Sequence, residues 1–196
     1  MNRTEASAAS GKLILDAAGI EQKVQALSQA ILKEFARRTD RLAIVGIQTR
    51  GAILAKRVVE RLRQETGQPI PLGILDITLY RDDVHAIADQ PEVKETDLAF
   101  DIEGRPIVLV DDVLFTGRTV RSALNALIDY GRPECIQLAV LVDRGHRELP
   151  ITADYAGLRI ATQRADVVDL NLKEMDEEDS VRLRRSSPRK KHAPAS

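Results

Sequence analysis

The sequence predicts an α/β domain built on a parallel sheet that carries helices on both faces. Segments with the spacing of strands alternate along the 196-residue chain with segments that have the apolar spacing of helices. The predicted strands are continuous apolar runs without alternating polar residues, which is typical of strands buried on both faces. In such sheets ligands bind at the carboxyl ends of the strands, so functional residues are expected directly after them.

The helices are predicted from apolar residues three and four positions apart, and the strands from short apolar runs. The first helix shows the pattern in Ile20, Val24 and Leu27, while Gly67 and Gly131 are expected to end the second and third helices. In chain order we predict a helix over residues 20–35, a strand over 42–47, a helix over 51–63, a strand over 72–80, a strand over 107–110, a helix over 118–130, a strand over 136–142 and two short strands over 157–160 and 166–172.

The remaining segments lack apolar periodicity. Residues 81–101 contain seven acidic side chains and Pro91, so we predict a functional loop or a hairpin flap there. The polar residues 1–11 and the basic tail over 176–196 are expected to be disordered. This leaves residues 12–175 as one folded domain, which is an ordinary size for a single core.

The charges are unevenly distributed. The chain carries 29 Lys and Arg residues and 30 Asp and Glu residues, a net charge of −1. Six of the basic residues and no acidic residue lie in 181–196, so the other 23 basic residues face 30 acidic ones and residues 1–180 carry a net charge of −7. This balance excludes a strongly basic nucleic-acid-binding body. The tail could act as a basic arm, although a solubilising extension is the simpler interpretation.

Cysteine usage and hydropathy indicate the compartment. Cys135 is the single cysteine, so no internal disulfide is possible and a reducing compartment is expected. It stands at the start of a predicted strand, where we expect a buried, unreactive thiol. No apolar run approaches the ~20 residues of a membrane span, and residues 1–11 lack the apolar core of a secretory signal. We therefore expect a cytoplasmic protein without a membrane contact.

The segment from Ile107 to Val120 carries the clearest chemical signal. Four apolar residues are followed by Asp111 and Asp112, and Thr116-Gly-Arg-Thr119 then opens a helix. Adjacent carboxylates at a strand end can accept hydrogen bonds from sugar hydroxyls, while a glycine turn and a helix N-terminus supply N–H donors and a positive dipole for a phosphate. Each half alone is also a common strand end or helix cap. The two halves at this spacing predict a phosphosugar site.

Four blocks of the chain resemble the type I phosphoribosyltransferases, which use 5-phosphoribosyl pyrophosphate (PRPP). The Asp111–Thr119 segment resembles their PRPP signature, and Val45–Ala52 resembles their pyrophosphate loop. Asp76–Asp83 and Leu141–Pro150 are similar to one branch of that superfamily. This branch is the PyrR family of pyrimidine operon attenuation regulators, which are also uracil phosphoribosyltransferases. The resemblance covers about residues 12–172.

The resemblance implies a fold, a reaction and a set of site residues. The type I fold adds a small hood, expected from residues 12–18 and 150–172, and the loop over 81–101 is expected to close over the reaction centre. The implied reaction joins uracil to PRPP and gives UMP and pyrophosphate, with Mg²⁺ bound mainly through PRPP and no dedicated protein metal site. The implied catalytic residues are Asp111, Asp112 and Arg81; the implied PRPP-binding residues are Thr49, Arg50, Asp111, Asp112, Val113, Leu114, Phe115, Thr116, Gly117, Arg118 and Thr119; and the implied nucleobase-binding residues are Arg144 and Ile160.

The resemblance also implies RNA-based regulation and self-association. Family members bind the leader of the pyrimidine (pyr) operon mRNA when UMP or UTP is present, and His146 and Arg147 lie on the matching RNA-facing side. The first-helix positions that match the family's Thr, Arg and His are Gln25, Ala26 and Gln29 here. A homodimer or homotetramer is expected.

Three functions remain open from the sequence. The chain is a uracil phosphoribosyltransferase with or without RNA-binding regulation, or it is a nucleotide-sensing RNA-binding regulator with little turnover. The third possibility is a sister phosphoribosyltransferase that acts on a purine or on orotate. A panel of nucleobases offered with PRPP and an assay with leader RNA separate the three.

Overall fold

The computed structural model describes residues 11–80 and 96–186. Within these ranges the chain forms three α-helices, a 3₁₀ turn at Thr78–Tyr80 and eight strands, which are arranged in two sheets. The helices are α1 (Ala17–Phe35), α2 (Arg50–Thr66) and α3 (Arg118–Ile128). The strands are β1 (Lys12–Leu15), β2 (Ala43–Ile47), β3 (Leu72–Leu75), β4 (Pro106–Leu114), β5 (Cys135–Asp143), β6 (Tyr155–Arg159), β7 (Val167–Asn171) and β8 (Ser180–Arg184).

The main sheet is parallel and has five strands in the order β3-β2-β4-β5-β6. Its faces are covered by different helices, and successive strand residues point to alternate faces. Ile44 and Val108 pack with α1 and α2, whereas the next residues along the chain, Val45 and Leu109, pack with α3. The predicted fold class is confirmed, and the continuous apolar runs follow from this two-sided burial.

Two helix boundaries have clear local causes. α1 begins after Asp16, whose side chain accepts a hydrogen bond from the N–H of Gly19 at 2.8 Å. α2 ends at Gly67, which has a φ of 65° and donates its N–H to the carbonyl of Arg63 at 2.9 Å. Glycine adopts this left-handed conformation without strain, so the predicted end of α2 is confirmed.

The strand predicted over residues 72–80 is too long. β3 ends at Leu75 and is followed by the 3₁₀ turn. Asp76 ends the strand because its Oδ1 accepts hydrogen bonds from both the N–H and the hydroxyl of Thr78, at 2.9 and 2.7 Å. An aspartate that bonds the backbone two residues ahead favours a turn over a continued strand.

The second sheet is antiparallel, with the order β1-β8-β7, and it forms the predicted hood. Its composition corrects two expectations. β8 lies in the segment predicted to be a disordered tail, and β6, which was expected in the hood, is the edge strand of the main sheet. β8 is ordered because Val181 and Leu183 are buried while the alternating Arg182 and Arg184 pair with Glu178 and Asp169.

The parts of the chain outside residues 11–80 and 96–186 include most of two predicted segments and about half of a third. These are the N-terminal residues 1–10, the loop residues 81–95 with Arg81, and the tail residues 187–196. The described end of the loop pairs Asp97 with Ile74 through two backbone hydrogen bonds of 2.8 Å. None of the helices in the described ranges has the length and apolar character to span a membrane.

Cys135 is the first residue of β5, as predicted, but its thiol is only partly buried. Burial is the largest influence on its pKa, which is raised above the ordinary cysteine value. A raised pKa disfavours the nucleophilic thiolate. The raised pKa keeps the thiol protonated, and this together with its partial burial favours an unreactive Cys135.

Candidate active site

The predicted site residues come from the carboxyl ends of adjacent strands. β2, β4 and β5 are neighbours in the main sheet and run parallel, so the segments that follow them meet at one edge. Thr49 and Arg50 follow β2, residues 111–119 end β4 and lead into α3, and Arg144 follows β5. The structure thus brings the predicted PRPP-binding and nucleobase-binding segments together. Arg81 lies outside the described residues.

Asp111 and Asp112 lie within β4, which is longer than the predicted strand over 107–110. β4 extends to Leu114 because Asp111 and Val113 remain paired with Val140 and Val142 of β5. Asp111 is only 5% exposed, whereas Asp112 is partly exposed. A buried carboxylate in a central strand is costly for folding, which favours a functional reason for its presence.

The burial of Asp111 changes its protonation. Its pKa lies well above the ordinary aspartate value, because burial disfavours the charged form and the Asp112 carboxylate adds repulsion. The backbone N–H of Asp112 opposes the shift by donating to Oδ1 of Asp111 at 2.9 Å. The N–H of Val113 donates in the same way to Oδ1 of Asp112 at 2.7 Å. A carboxyl group that binds a proton readily thus lies beside one that is open to solvent.

A glycine at the start of α2 brings the two predicted loops together. A Cβ atom on Gly51 would lie 2.6 Å from the carbonyl oxygen of Val110 and 3.1 Å from the Cα of Asp111. Real Cβ atoms do not approach backbone atoms this closely, so only glycine fits. The first turn of α2 therefore rests directly on the end of β4, next to the buried carboxyl group.

The predicted pyrophosphate loop joins β2 to α2. The Gln48–Thr49 peptide bond is cis, and Thr49 occupies the N-cap position without a capping hydrogen bond from its side chain. The guanidinium of Arg50 donates from Nη2 to both carboxylate oxygens of Asp176, each at 3.1 Å. A helix N-terminus together with an arginine is suited to an anion.

The predicted phosphate loop joins β4 to α3. Gly117 takes the N-cap position of α3 with a φ of 91°, and no acidic residue lies in the first turn of the helix. The positive end of the helix dipole is therefore not neutralised within that turn. Arg118 pairs with Glu148 through Nε at 2.7 Å, and hydrogen bonds from Arg118 and Arg164 lower the pKa of this carboxyl group. The loop has the N–H donors and positive charge that a phosphate requires.

Arg144 is built into a stack on Phe115. Its guanidinium lies 4.1 Å from the centre of the Phe115 ring and donates to the carbonyls of Gln163 and Arg164 at 2.9 and 3.3 Å. Arg144 is only 6% exposed, and burial lowers its pKa. The structure places this predicted nucleobase-binding residue between the phosphate loop and residues 163–164, where it fixes one wall of the site.

Ile160 follows the edge strand β6, beside the end of β5. Its N–H donates to the carbonyl oxygen of Asp143 at 3.0 Å. The N–H of Ile160 is therefore already used within the protein, and its contact with a nucleobase stays a prediction.

The two residues predicted to face RNA have strong local contacts. The guanidinium of Arg147 donates to the carbonyls of Phe115, Gly145 and Ile151 at 2.8, 3.0 and 3.0 Å, and it pairs with Asp143 at 2.5 Å. These bonds occupy the guanidinium inside the protein, and the predicted role of Arg147 in RNA binding stays a prediction.

His146 is also held within the protein. It has a φ of 63°, and its Nε2 lies 2.7 Å from the carbonyl oxygen of Thr162. Its ring meets Phe115 edge to face, with the ring centres 6.1 Å apart. His146 therefore supports the wall built on Phe115.

Three residues at this edge were not predicted from the sequence. They are Gly51, which lets α2 approach β4, and the carboxylates Glu148 and Asp176, which pair with arginines of the two loops. A glycine directly after Thr-Arg at a strand-to-helix turn is a signal that could have indicated a close approach. Glu148 and Asp176 have no local signal, because their partners are 30 and 126 residues away in the chain.

Comparison with known proteins places this geometry in a family. The family model described as "Phosphoribosyl transferase domain" matches residues 10–174. A relative from Elusimicrobium minutum, named "Bifunctional protein PyrR", is 50% identical over 172 residues, which are 88% of this chain and 96% of the relative. The chain belongs to the PyrR family. A second "Bifunctional protein PyrR", from Thermus thermophilus, is 57% identical over 145 residues, which are 74% of this chain and 80% of the relative.

Solved structures match the same fold at much lower identity. The hypoxanthine phosphoribosyltransferase of Trypanosoma cruzi aligns with a TM-score of 0.67 and 16% identity, and covers 91% of this chain and 98% of that one. A hypoxanthine phosphoribosyltransferase from Staphylococcus aureus aligns with a TM-score of 0.64 and 18% identity, over 90% and 93% of the two chains. These likenesses support the fold, and the resemblance to the PyrR family predicted from the sequence is confirmed by the PyrR relatives.

Proposed function

We propose that the chain is a uracil phosphoribosyltransferase that converts uracil and PRPP into UMP and pyrophosphate. The observation that carries the proposal is the pairing of buried Asp111 with partly exposed Asp112 near the end of β4, on the segment that leads into the acid-free N-terminus of α3. Carboxylates suit the ribose hydroxyls, and the helix N-terminus suits the 5-phosphate. Membership of the PyrR family supports uracil as the base.

The reaction breaks the bond between ribose C1 and pyrophosphate and forms a bond between C1 and a uracil ring nitrogen. Its transition state resembles an oxocarbenium ion. The Thr49-Arg50 loop stabilises the charge that develops on the leaving pyrophosphate, and the loop over 116–119 holds the 5-phosphate. Asp111 and Asp112 orient the ribose, and the carboxylate of Asp112 favours the positive charge that develops on it.

Asp111 and Asp112 also fit a Mg²⁺ ion that is bound mainly through the substrate. No group of three or more candidate metal ligands occurs in residues 11–80 and 96–186. Mg²⁺ commonly keeps several waters and uses one or two carboxylates together with substrate oxygens, which agrees with a pair of aspartates. The bound ion would supply electrostatic stabilisation of pyrophosphate, and these two side chains would hold it at the ribose.

Uracil is proposed to lie beside the Phe115 wall, with its edge at Ile160. The N–H of Ile160 is occupied by Asp143, so its carbonyl accepts a hydrogen bond from a uracil N–H. Arg144 shapes this end of the site through its contact with Phe115 and its bonds to residues 163–164. Arg81 is proposed as a further catalytic residue, and it lies outside the described residues.

A turnover assay with matched variants tests the enzyme. Uracil, PRPP and Mg²⁺ are mixed with the protein, and UMP and pyrophosphate are measured. Asp112→Asn is expected to lower turnover by at least about 100-fold, since it removes charge that the transition state uses. Asp40→Asn, which changes an exposed aspartate before β2, serves as the control and should keep wild-type activity. Normal turnover of Asp112→Asn would refute the assignment of the site.

RNA-binding regulation is proposed as a second function because the similar relatives are named "Bifunctional protein PyrR". The candidate ligand is the leader RNA of the pyr operon, bound when UMP or UTP occupies the site. Gln25, Ala26 and Gln29 are exposed on α1 but carry no charge, so other groups must contact phosphate. A gel-shift assay near physiological salt should show binding that depends on UMP. No shift with any nucleotide, in a preparation that is active as an enzyme, would exclude this function.

The setting of both functions is proposed to be the cytoplasm, where PRPP and mRNA are available. The homodimer or homotetramer expected from the family is the proposed assembly. Sedimentation velocity at micromolar concentration tests the assembly, and a protein that stays monomeric under these conditions would contradict it.

A further inference from the structure

The turn between β7 and β8 docks on α2 through carboxylates. Asp176 binds Nη2 of Arg50 with both oxygens at 3.1 Å, and Asp179 binds both terminal nitrogens of Arg57 at 2.8 Å. Glu174 binds the Nε of Arg57 at 2.9 Å. Arg50 and Arg57 are seven residues apart, so they lie on one face of the helix, two turns from each other.

We propose that Asp176 is a positioning residue that holds the Arg50 side chain in place for pyrophosphate. The inference rests on the proposed role of the Thr49-Arg50 loop in binding that group. Asp176 occupies one terminal nitrogen of the guanidinium, and the other, Nη1, has no protein partner among the described residues. An arginine that is fixed at one nitrogen and open at the other is already ordered before a diphosphate binds. Binding therefore does not have to offset the conformational entropy of that side chain.

The carboxylate of Asp176 is itself held firmly. Its Oδ2 accepts the N–H of Leu172 at 2.9 Å, and its own N–H donates to the carbonyl of Leu172 at 2.7 Å. Asp179 fixes the turn by accepting the N–H of Lys173 at 2.8 Å. The contact between Asp176 and Arg50 is therefore part of a turn with its own internal hydrogen bonds.

Arg57 anchors the same turn to α2. Hydrogen bonds from Arg57 lower the pKa of Glu174. In Asp179 burial is the largest influence and raises the pKa, but the hydrogen bonds from Arg57 and from the N–H of Lys173, together with the charges of these two residues, lower it overall. Both carboxylates are thus held in their charged form against the helix. Because Arg57 also binds Glu174 and Asp179 of this turn, the position of Asp176 beside Arg50 does not depend on the ion pair between those two residues alone.

An alternative role for Asp176 is that of a competitor, which occupies Arg50 until pyrophosphate displaces it. The geometry favours positioning, because a competitor would have to leave Arg50 when substrate arrives. The hydrogen bonds of Asp176 to Leu172 and the anchoring of the turn by Arg57 oppose that movement. The two roles predict opposite changes in affinity when the carboxylate is neutralised.

The test is a double-mutant cycle with pyrophosphate binding as the readout. Wild type, Asp176→Asn, Arg50→Gln and the double variant are titrated with Mg²⁺-pyrophosphate by calorimetry, after thermal melting has shown that each is folded. Asp176→Asn is expected to weaken binding about 10-fold, as for the loss of a charge-assisted contact. It should have no further effect when Arg50 is already Gln, because the carboxylate acts through that side chain.

A matched control and a kinetic readout complete the experiment. Glu178→Gln removes a carboxylate of the same turn that pairs with Arg182, and it should leave pyrophosphate affinity unchanged. In turnover assays Asp176→Asn should raise the KM for PRPP and leave the KM for uracil unchanged. The proposal is overturned if Asp176→Asn binds pyrophosphate as well as wild type or more tightly, or if it weakens binding equally in the Arg50→Gln background.

Different results would contradict the proposed uracil reaction and the positioning role of Asp176. If the wild-type protein binds pyrophosphate and the cycle shows coupling, but no uracil is consumed with PRPP, the positioning role stands and the uracil reaction is wrong. If uracil is consumed and the cycle shows no coupling, the reaction stands and the positioning role is wrong.

Discussion

The backbone N–H of Asp112 donates to Oδ1 of Asp111 at 2.9 Å, so the residue whose charge repels Asp111 also stabilises it. This hydrogen bond does not offset the other two influences: burial and the charge of Asp112 together raise the pKa of Asp111 well above its ordinary value and so disfavour its charged form. A carboxyl group with a raised pKa in the folded state costs no stability below its unfolded-state pKa of about 4. Stability is lost as the pH rises from there through the raised folded-state pKa, because the unfolded chain gives up the proton more readily.

Asp111→Asn should therefore stabilise the protein at neutral pH while it removes activity. The amide keeps an oxygen that can accept the N–H of Asp112, and it carries no charge. We expect the melting temperature to rise by about 2–4 °C, equivalent to about 1 kcal/mol for a chain of this size. Turnover should fall by at least about 100-fold. Thermal melts from pH 5 to pH 9 and UMP formation measure the two effects.

Asp112→Asn is the control for stability, because Asp112 is partly exposed and no comparable gain is expected. A folded Asp111→Asn variant that melts below wild type across this pH range would contradict the account of the buried charge. Undiminished UMP formation would contradict its role in the reaction.

Gly51→Ala tests the close approach between α2 and β4. The added Cβ would lie 2.6 Å from the carbonyl oxygen of Val110, so α2 must shift and take the pyrophosphate loop with it. We expect a loss of about 1–3 kcal/mol in the free energy of unfolding by urea. The KM for PRPP should rise together with this loss.

Gly19→Ala is a suitable control for Gly51→Ala. The added methyl group in α1 would meet the flexible side chain of Leu15 at 3.1 Å, so we expect a change within about 1 kcal/mol. Equal effects of the two substitutions would show that the backbone contact at Gly51 is unimportant.

Arg147→Gln separates a structural role from a role in RNA binding. The guanidinium bonds four backbone carbonyls and the carboxylate of Asp143, and a glutamine cannot replace these contacts. Carbonyls left without a partner should lower the free energy of unfolding by about 1–3 kcal/mol. Denaturation in urea without RNA measures this loss. A variant as stable as wild type that binds leader RNA more weakly would instead support direct contact with RNA.

A fall in pH should weaken the contact of the turn between β7 and β8 with α2. The pKa of Glu174 is lowered by its hydrogen bond to Arg57. The pKa of Asp179 is lowered overall because Arg57 and Lys173 together oppose the raising effect of burial. Groups with lowered pKa values stabilise the fold at pH values above the ordinary carboxyl pKa of about 4, and this stability is lost as the pH falls below it. Melting curves of wild type and Arg57→Met should therefore converge between pH 7 and pH 3.

Arg61→Met is the control for the acid experiment, since Arg61 pairs with Glu21 on a more exposed part of α2. Its difference from wild type should be small at every pH. A gap between wild type and Arg57→Met that stays constant from pH 7 to pH 3 would show that these carboxylates do not contribute the pH dependence.

The central sheet was predictable from the sequence because two-sided burial leaves a direct trace in it. The apolar runs of β2 and β5 contain almost no polar residue, and the predicted site residues follow their carboxyl ends in the structure. The end of β4 was missed because two carboxylates inside a strand contradict the apolar pattern. The pairing that keeps Asp111 in the strand comes from β5, a tertiary contact.

The wrong prediction of a disordered tail and the missed contact of Asp176 with Arg50 have a different origin. β8 has a period-two pattern, in which buried Val181 and Leu183 alternate with Arg182 and Arg184, but the high density of arginine in the sequence favours a disordered tail. The contact of Asp176 with Arg50 joins residues 126 positions apart, and nothing in the local sequence indicates it. The contacts of Arg147 were unpredictable for the same reason, since they are made with backbone carbonyls that the fold brings to it.

A panel of nucleobases with PRPP tests the central claim most directly. The protein is incubated with PRPP, Mg²⁺ and uracil, hypoxanthine or orotate, and the nucleotide and pyrophosphate formed are quantified for each base. The proposed site predicts UMP formation with a kcat/KM for uracil at least about 100-fold above the other bases, because recognition depends on hydrogen bonds to the base edge. A preference for hypoxanthine or orotate, or no pyrophosphate with any base, would contradict it.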